Sequence, residues 1–198
     1  GWQTGGTGNT ARYGGAKFGT QTTAVAAGGK NGGTKDNVEE YNGSTWTEVN
    51  DYSGTDRGYL AGFGTLTAGV ICGGSTASPD TWYDLTEEYD GTNYSSVGDL
   101  NVERINGGAC GTLTAGLCFG GSDPSPPARL AATEEYNGTA WTNAGNMNVA
   151  RDLNRVSGTQ TDAVSFSGSD HPNNAHVATT EAYYGTSWST LKNTLTTA

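Results

Sequence analysis

The chain has 198 residues and a formal net charge of −10, and this acidic balance leaves no basic stripe for a nucleic-acid backbone. No apolar run approaches the length that spans a membrane, and no secretory signal is visible. Ten Tyr and five Trp are too many aromatic residues for a solvated coil, and 32 Gly favour closely packed sheets. We therefore expect a folded protein with neither a nucleic-acid partner nor a membrane-inserted segment.

Residues 1–18 resemble the end of one repeat that runs into the next, because Trp2 precedes Arg12 by nearly the same spacing at which Trp46 precedes Arg57. A glycine-rich hairpin motif then occurs four times. Each copy suggests a tight Gly-Thr turn, a short apolar strand and a closing glycine pair. The copies start at Gly19, Gly64, Gly111 and Gly158, in steps of 45, 47 and 47 residues. The arginines seven residues before each start are Arg12, Arg57, Arg104 and Arg151. This period, with strands throughout, is typical of propeller blades.

A second hairpin follows in each repeat. Its first strand contains Glu-Glu-Tyr in three copies, as at Glu39-Glu40-Tyr41, and we expect one Glu per repeat to pair with the repeat arginine. Its turn is Asn-Gly or Asp-Gly in three copies, which suits a tight hairpin. Five residues after each Tyr stands an aromatic residue: Trp46, Tyr94, Trp141 or Trp188. We interpret the repeat arginines and tryptophans as structural.

The glycine pair, the downstream Tyr and Trp, and the Arg that opens the next unit together resemble the kelch repeat of β-propellers. The amino-acid sequence of the copies, such as Glu-Glu-Tyr-Asn-Gly-Thr-x-Trp at 134–141, is also similar to kelch-like repeats in structural proteins of marine bacteriophages. The resemblance implies an all-β fold, a β-propeller of four kelch-like blades, each a four-stranded antiparallel sheet. A single domain would span 1–198, with an N-terminal arm at 1–11 and blades at 12–49, 57–97, 104–144 and 151–191.

The strand count leaves ring closure open. Each predicted blade has its own aromatic fourth strand, so Trp2 belongs to a fifth copy of that strand. A closed four-bladed ring with an arm, a larger ring made from several chains, and a piece of a longer propeller all fit this count. We favour the four-bladed ring with its arm reaching a neighbouring subunit, because Gly- and Ala-rich inner strands suit a narrow centre. This arrangement predicts a homo-oligomer or part of a particle.

Between the glycine pair and the Glu-Tyr strand lie four variable segments, where binding residues are usually placed. The candidate ligand-binding or partner-binding residues there are Asp80, Trp82, Tyr83, Asp123, Asp170, His171 and His176. Trp82 and Tyr83 either stack on a sugar or anchor a protein partner, or else they fold back over the blade edge. We expect replacement of Ser75–Thr86 to leave folding nearly intact while removing binding.

The remaining chemistry is sparse. Cys110 and Cys118 flank one hairpin turn and can form a cross-strand disulfide, although two buried thiols are the simpler alternative. Zinc-ligand spacing and a phosphate-binding loop are absent, and Ser169-Asp170-His171 is a polar loop sequence rather than a catalytic triad. We expect no catalytic residues, no metal site, no cofactor and no enzymatic activity.

These patterns predict a non-enzymatic structural or interaction propeller that binds protein partners, or other subunits of a larger assembly, through variable loops on one face. The phage resemblance implies a virion structural or surface protein, located in a virion or outside cells. The alternative is a carbohydrate-binding, lectin-like module that binds glycans through Trp82, Tyr83 and the Asp-bearing loops. An enzyme resembling galactose oxidase is a third hypothesis, and the chain lacks its copper ligands.

Overall fold

A computed structural model describes residues 4–52, 54–77, 80–124, 127–170 and 175–191. All regular elements in these ranges are β-strands, which confirms the predicted all-β class. Sixteen of the eighteen strands in these ranges form four antiparallel sheets of four strands each, and the other two form a ribbon. The strands of each four-stranded sheet are arranged in chain order, with the ribbon inserted between the second and third strands of one sheet. The four-stranded antiparallel sheets predicted from the repeats are therefore confirmed.

The strand bounds follow the sequence repeat. Sheet 1 consists of β1 (Ala16–Gly19), β2 (Ala24–Lys30), β3 (Thr34–Tyr41) and β4 (Trp46–Val49). Sheet 2 consists of β5 (Ala61–Thr65), β6 (Ala68–Cys72), β7 (Thr86–Tyr89) and β8 (Tyr94–Ser96). Sheet 3 consists of β9 (Gly108–Thr112), β10 (Ala115–Phe119), β13 (Thr133–Tyr136) and β14 (Trp141–Ala144), and the ribbon β11 (Ser122–Pro124) and β12 (Pro127–Arg129) follows β10. Sheet 4 consists of β15 (Arg155–Gly158), β16 (Ala163–Phe166), β17 (Glu181–Tyr183) and β18 (Trp188–Thr190).

The first hairpin of sheet 2 turns later than the sequence suggested. Thr65 pairs with Ala68, so the turn residues are Leu66 and Thr67 rather than Gly-Thr. Gly64 instead lies within β5 at a φ of 112°, and a Cβ there would stand 2.8 Å from the Cα of Gly69. The glycine is thus required by the close approach of two strands.

The second hairpin closes as its composition predicts. The Asn42 carboxamide oxygen accepts the backbone N–H groups of Ser44 and Thr45 at 3.0 and 2.9 Å, and Gly43 supplies a φ of 93°. Asp90 accepts the N–H groups of Thr92 and Asn93 in the same way, each at 2.7 Å. The side chain at the first turn position and the glycine at the second therefore act together.

Adjacent sheets pack face to face in chain order, and the hydrophobic core lies between them. Because successive strand residues point to opposite faces, each sheet has a leading face, which meets the preceding sheet, and a trailing face, which meets the following one. Trailing residues such as Phe18 and Val25 of sheet 1 pack with Ile71 and Tyr89 on the leading face of sheet 2. Equivalent clusters join sheet 2 to sheet 3 and sheet 3 to sheet 4.

The inner strands β1, β5, β9 and β15 pack in that order, and β15 has no comparable contact with β1. The contacts of the described residues thus establish sheet-to-sheet packing along the chain. Closure into a ring stays a prediction.

Each repeat arginine forms a buried ion pair within its own sheet, which confirms the predicted Arg–Glu pairing. The Nη2 to Oε1 distances are 2.6 Å for Arg57 with Glu87, 2.5 Å for Arg151 with Glu181 and 3.1 Å for Arg12 with Glu39, and Arg104 pairs with Glu134 in the same way. In sheet 2, Nη1 of Arg57 also donates to the carbonyls of Gly73 and Leu85 at 2.8 and 3.0 Å. Removing one partner of such a buried pair leaves an uncompensated charge, which costs about 3–5 kcal/mol.

The possible Cys110–Cys118 disulfide is absent, and the alternative of two buried thiols is confirmed. Cys110 pairs with Leu117 and Cys118 with Ala109, so the two side chains point to opposite faces of sheet 3. The sequence-based register was one residue off, and such a shift exchanges the two faces. The chain's three cysteines are buried free thiols, as in the simpler alternative. Sγ of Cys118 lies 3.9 Å from Sγ of Cys72 across the interface between sheets 2 and 3.

Candidate binding face

The variable segments share one backbone arrangement although their sequences differ. In each sheet, the residue that follows the glycine pair, or Ser167-Gly168 in sheet 4, pairs with a residue on the returning side of a hairpin. These pairs are Lys30 with Thr34, Ser75 with Trp82, Ser122 with Arg129 and Ser169 with His176. Because every sheet runs in the same strand order, the hairpins lie at the same end of their sheets, which we call the hairpin face. The scaffold therefore presents different side chains at one repeated position.

Part of each variable segment belongs to the scaffold. The N–H of Tyr83 donates to the carbonyl of Gly74 at 2.9 Å, and Thr86 Oγ1 accepts a hydrogen bond from Nε1 of Trp141 at 3.0 Å. The expectation that replacement of Ser75–Thr86 leaves folding nearly intact stays a prediction, and these hydrogen bonds of Tyr83 and Thr86 count against it. Among the described residues of this segment, the exposed ones are Ala77, Asp80 and Thr81, which precede Trp82.

The predicted site residues lie on three different hairpins. Asp80 and His176 are exposed, whereas Trp82, Tyr83 and Asp123 are half-buried. Asp170 is also half-buried and accepts the N–H of Ala175 at 2.9 Å, so it stabilises its own hairpin. His171 lies outside the described residues. The half-burial of Trp82 and Tyr83 leaves both stacking and folding back open.

A group of residues that sequence reasoning missed lies at the centre of the hairpin face. These central residues are Gly14, Tyr59, Asn106 and Leu153, each two positions after a repeat arginine. Their φ angles are 65°, 62°, 57° and 53°, so all four are left-handed. Successive sheets are joined here by backbone hydrogen bonds, from Leu60 to Gly14 at 3.2 Å, from Asn106 to Tyr59 at 3.0 Å and from Leu153 to Asn106 at 3.1 Å. The signal available in the sequence was that the residue two positions after each repeat arginine differs in every repeat.

Two of the central residues are unfavourable in this backbone conformation. A left-handed φ costs an L-residue other than glycine or asparagine about 1–2 kcal/mol, so Tyr59 and Leu153 are both strained. Gly14 shows that the fold accepts glycine at this position. Leu153 gains little burial in return, because 51% of its surface is exposed.

The central residues surround a cavity of about 300 Å³. Its lining is completed by Tyr13, which precedes β1, by Lys17 of β1 and by Arg155 of β15, among others. The rings of Tyr13 and Tyr59 stand with their centroids 6.2 Å apart, and Tyr13 is 58% exposed. Burial is the largest cause of the raised pKa of Tyr59.

Positive charge is concentrated at this centre although the chain is acidic. Five arginines are paired with carboxylates: the four repeat arginines form buried ion pairs with glutamates, and Arg129 pairs with Asp152 at 2.8 Å. Lys17 and Arg155 line the central cavity, and Nζ of Lys30 lies 4.5 Å above the ring of Tyr59. The centre therefore combines the exposed ring of Tyr13 and the half-buried ring of Tyr59 with cationic side chains, an arrangement that suits an anionic or ring-bearing ligand.

A second polar cluster connects the hairpins of sheets 3 and 4. The Asp152 carboxylate accepts hydrogen bonds from the hydroxyls of Ser122 at 3.0 Å and Ser169 at 2.6 Å, in addition to its ion pair with Arg129. Arg129 and Ser169 line a cavity of about 440 Å³ together with His176 and Leu153. His176 therefore shares a cavity with Leu153, one of the central residues.

In the described part of the chain, no group of three or more His, Cys, Asp or Glu residues is placed to hold a metal ion. The same residues include no helix that is long and apolar enough to cross a membrane. No protein-family model matches the chain, and no curated protein matches its sequence. The kelch resemblance therefore stays a prediction.

Proposed function

We propose that this chain is a non-enzymatic structural or interaction protein of the kelch-like β-propeller type, which binds another subunit of a larger assembly through its hairpin face. The strain at Tyr59 and Leu153 carries the proposal. Two side chains are held in a backbone conformation that glycine would adopt without cost, and Leu153 is half exposed. Strain that folding does not require points to a role in binding.

The repeated hairpins support the same assignment. Thr34, Trp82, Arg129 and His176 occupy one backbone position in four successive sheets. A face that changes its side chains on a constant scaffold suits recognition of a protein surface. Because the repeat sequences resemble those of phage structural proteins, the proposed assembly is a virion or its surface. The proposed location of the chain is the virus particle or the outside of cells.

The experiment is a double substitution, Tyr59→Gly with Leu153→Gly. Relief of the left-handed strain is expected to keep or raise the free energy of unfolding, by about 1–2 kcal/mol per site. Incorporation into the native assembly, followed by its mass, is expected to be lost. Thr67→Gly is the control, because Thr67 is exposed in a turn at the opposite end of its sheet. Normal incorporation of the double variant would contradict the proposal.

Carbohydrate binding is the second candidate, and the composition of the central cavity favours it. Tyr13 and Tyr59 offer aromatic faces for a sugar ring, and Lys17 with Arg155 offers positive charge beside them. This combination suits an acidic saccharide. Binding on an array of acidic glycans, lost in Lys17→Gln with Arg155→Gln and weak for neutral glycans, is the expected result. An array without any bound glycan would count against this candidate.

A further inference from the structure

The leading face of sheet 1 carries three residues whose equivalents are buried on another leading face of the molecule. Its Ala24, Tyr41 and Trp46 correspond in the repeat to Ala163, Tyr183 and Trp188 on the leading face of sheet 4. In sheet 4, Tyr183 is fully buried and Trp188 is 6% exposed. In sheet 1, Tyr41 and Trp46 are both only half-buried. Ala24 and Trp46 line an open cavity of about 530 Å³.

The three interfaces between successive sheets define what such a face binds. The tyrosine hydroxyl donates to the second glutamate of the preceding sheet, as from Tyr183 to Glu135 at 2.8 Å. The tryptophan Nε1 donates to a threonine of that sheet in two of the interfaces, as from Trp188 to Thr133 at 2.9 Å. Among the described residues, neither Tyr41 nor Trp46 makes the corresponding bond.

The glycine pair completes each interface. The N–H of Gly29, Gly74 or Gly121 donates to the carbonyl of the next repeat arginine, at 2.8 to 2.9 Å. At the first glycine of the pair, a Cβ would stand 2.5 to 2.8 Å from that carbonyl oxygen. A matching trailing face therefore needs a threonine, a glutamate and two glycines at fixed positions.

The chain approaches sheet 1 along the path that it takes between two sheets. Asn9 donates from its side chain to the carbonyl of Trp46 at 3.0 Å and from its backbone to Glu39 at 3.1 Å. Asn148, which connects sheet 3 to sheet 4, makes the same bonds to Trp188 and Glu181, at 3.2 and 2.7 Å. Sheet 1 therefore has the surroundings of a sheet that follows another one.

The trailing face of sheet 4 does not match this requirement. Ser167 stands where the first glycine of the pair is needed, and Ala182 stands where the glutamate is needed. Ser157 replaces the inner-strand side chain that Phe18 and Phe63 supply in sheets 1 and 2. Of the four residues that the partner face needs, the trailing face of sheet 4 keeps only Gly168 and Thr180. Docked in the same way, the Cβ of Ser167 would collide with the arginine carbonyl of the sheet that it meets.

We propose that the leading face of sheet 1 is the docking surface for a further blade of this repeat, distinct from sheets 1 to 4. Its partner face presents a threonine to Trp46, a glutamate to Tyr41 and a glycine pair to the carbonyl of Arg12. The inference rests on sheet-to-sheet contacts and is independent of the binding role of the hairpin face. The trailing face of sheet 3 has this composition, so a copy of sheet 3 is the matching probe.

The test replaces residues 1–6 with a second copy of residues 101–145, because Gly6 and Gly145 are equivalent in the repeat. A matched control chain carries Cys110→Ser, Gly120→Ser and Glu135→Ala in the added copy only, which gives that copy the sheet 4 identities. Hydroxyl-radical footprinting with mass spectrometry measures the oxidation rate of Trp46 relative to that of Trp188 in the same molecule. Light scattering gives the molecular mass of each chain.

We expect Trp46 to oxidise faster than Trp188 in the unaltered chain and in the control. In the chain extended by the unaltered copy, the ratio of the two rates is expected to fall to unity. If Trp46 oxidises as slowly as Trp188 in the unaltered chain and that chain is a monomer, sheet 4 closes a four-bladed ring. If the unaltered chain is a dimer and Trp46 oxidises slowly, a second copy of the chain covers the face. Either result overturns the proposal. Equal protection by the control copy, a fast Trp46 in the extended chain, or failure of that chain to fold would also overturn it.

Discussion

Substitution of Gly73 by alanine tests how closely two successive sheets approach. Gly73 has a φ of 68°, and a Cβ there would stand 2.5 Å from the carbonyl oxygen of Arg104 in the next sheet. The next residue, Gly74, donates its N–H to the same carbonyl at 2.8 Å. The added methyl group therefore strains the backbone and separates the two sheets.

The two costs can be measured separately. Gly32 has a φ of 74°, and a Cβ there would meet nothing within 4 Å. Gly32→Ala is thus expected to show the backbone cost alone, about 1–2 kcal/mol. Gly73→Ala adds an overpacking cost of about 1–3 kcal/mol, so we expect a total loss of about 2–5 kcal/mol.

Urea unfolding followed by tryptophan fluorescence gives the free energy of unfolding of each variant. Ser167→Gly serves as the reverse experiment, because Ser167 has a φ of 57° at the equivalent position. It is expected to stabilise the protein by about 1 kcal/mol through loss of strain. Equal losses in Gly73→Ala and Gly32→Ala would refute the close approach between sheets 2 and 3.

Three further predictions concern buried polar groups. Thr86→Val removes the acceptor of the Trp141 indole N–H, and urea unfolding should show a loss of about 1–3 kcal/mol, against almost none for an exposed threonine. Burial raises the pKa of Tyr94 above its ordinary value of about 10, so its contribution to stability is complete below that pH and is lost as the pH rises further. Unfolding curves should therefore show falling stability in alkali that is reduced in Tyr94→Phe, and equal curves would contradict this. Mild oxidation should cross-link Cys72 with Cys118 across two sheets, because their sulfurs are 3.9 Å apart, and a peptide map showing any other internal disulfide would contradict it.

Much of the scaffold could be predicted from the spacing of a few residue types. The Arg–Glu ion pairs could be predicted because an arginine and a glutamate each recur at the same position of every repeat, and a buried charge that recurs needs a partner of opposite charge that recurs with it. The second hairpin follows from turn chemistry that acts over four residues, as at Asn42 and Gly43. The candidate residues on the hairpins were found by variability, and the structure places Asp80 and His176 on the exposed surface of the hairpin face.

Other features needed the tertiary structure because they depend on distances between sheets. The register of β9 with β10 decides which face of sheet 3 Cys110 and Cys118 each occupy, and a shift of one residue in that register would exchange the two faces. The left-handed conformations of Tyr59 and Leu153 arise where successive inner strands bond to each other, and no local preference of Tyr or Leu would predict them.

The amino-acid sequence by itself determined the sheet-forming strands, the turn of the second hairpin in three of the repeats and the buried ion pair of each repeat, because these depend on neighbours within one unit. The tertiary structure decided which faces meet and which one stays uncovered. At two interfaces a tryptophan of one sheet donates to a threonine of the preceding sheet. At the interface between sheets 1 and 2, Tyr94 stands in place of that tryptophan and Val38 in place of that threonine, and only the contact between the sheets shows that the two replacements belong together. The physical reason is that packing between sheets joins residues about 50 positions apart, such as Tyr89 and Glu40, 49 positions apart.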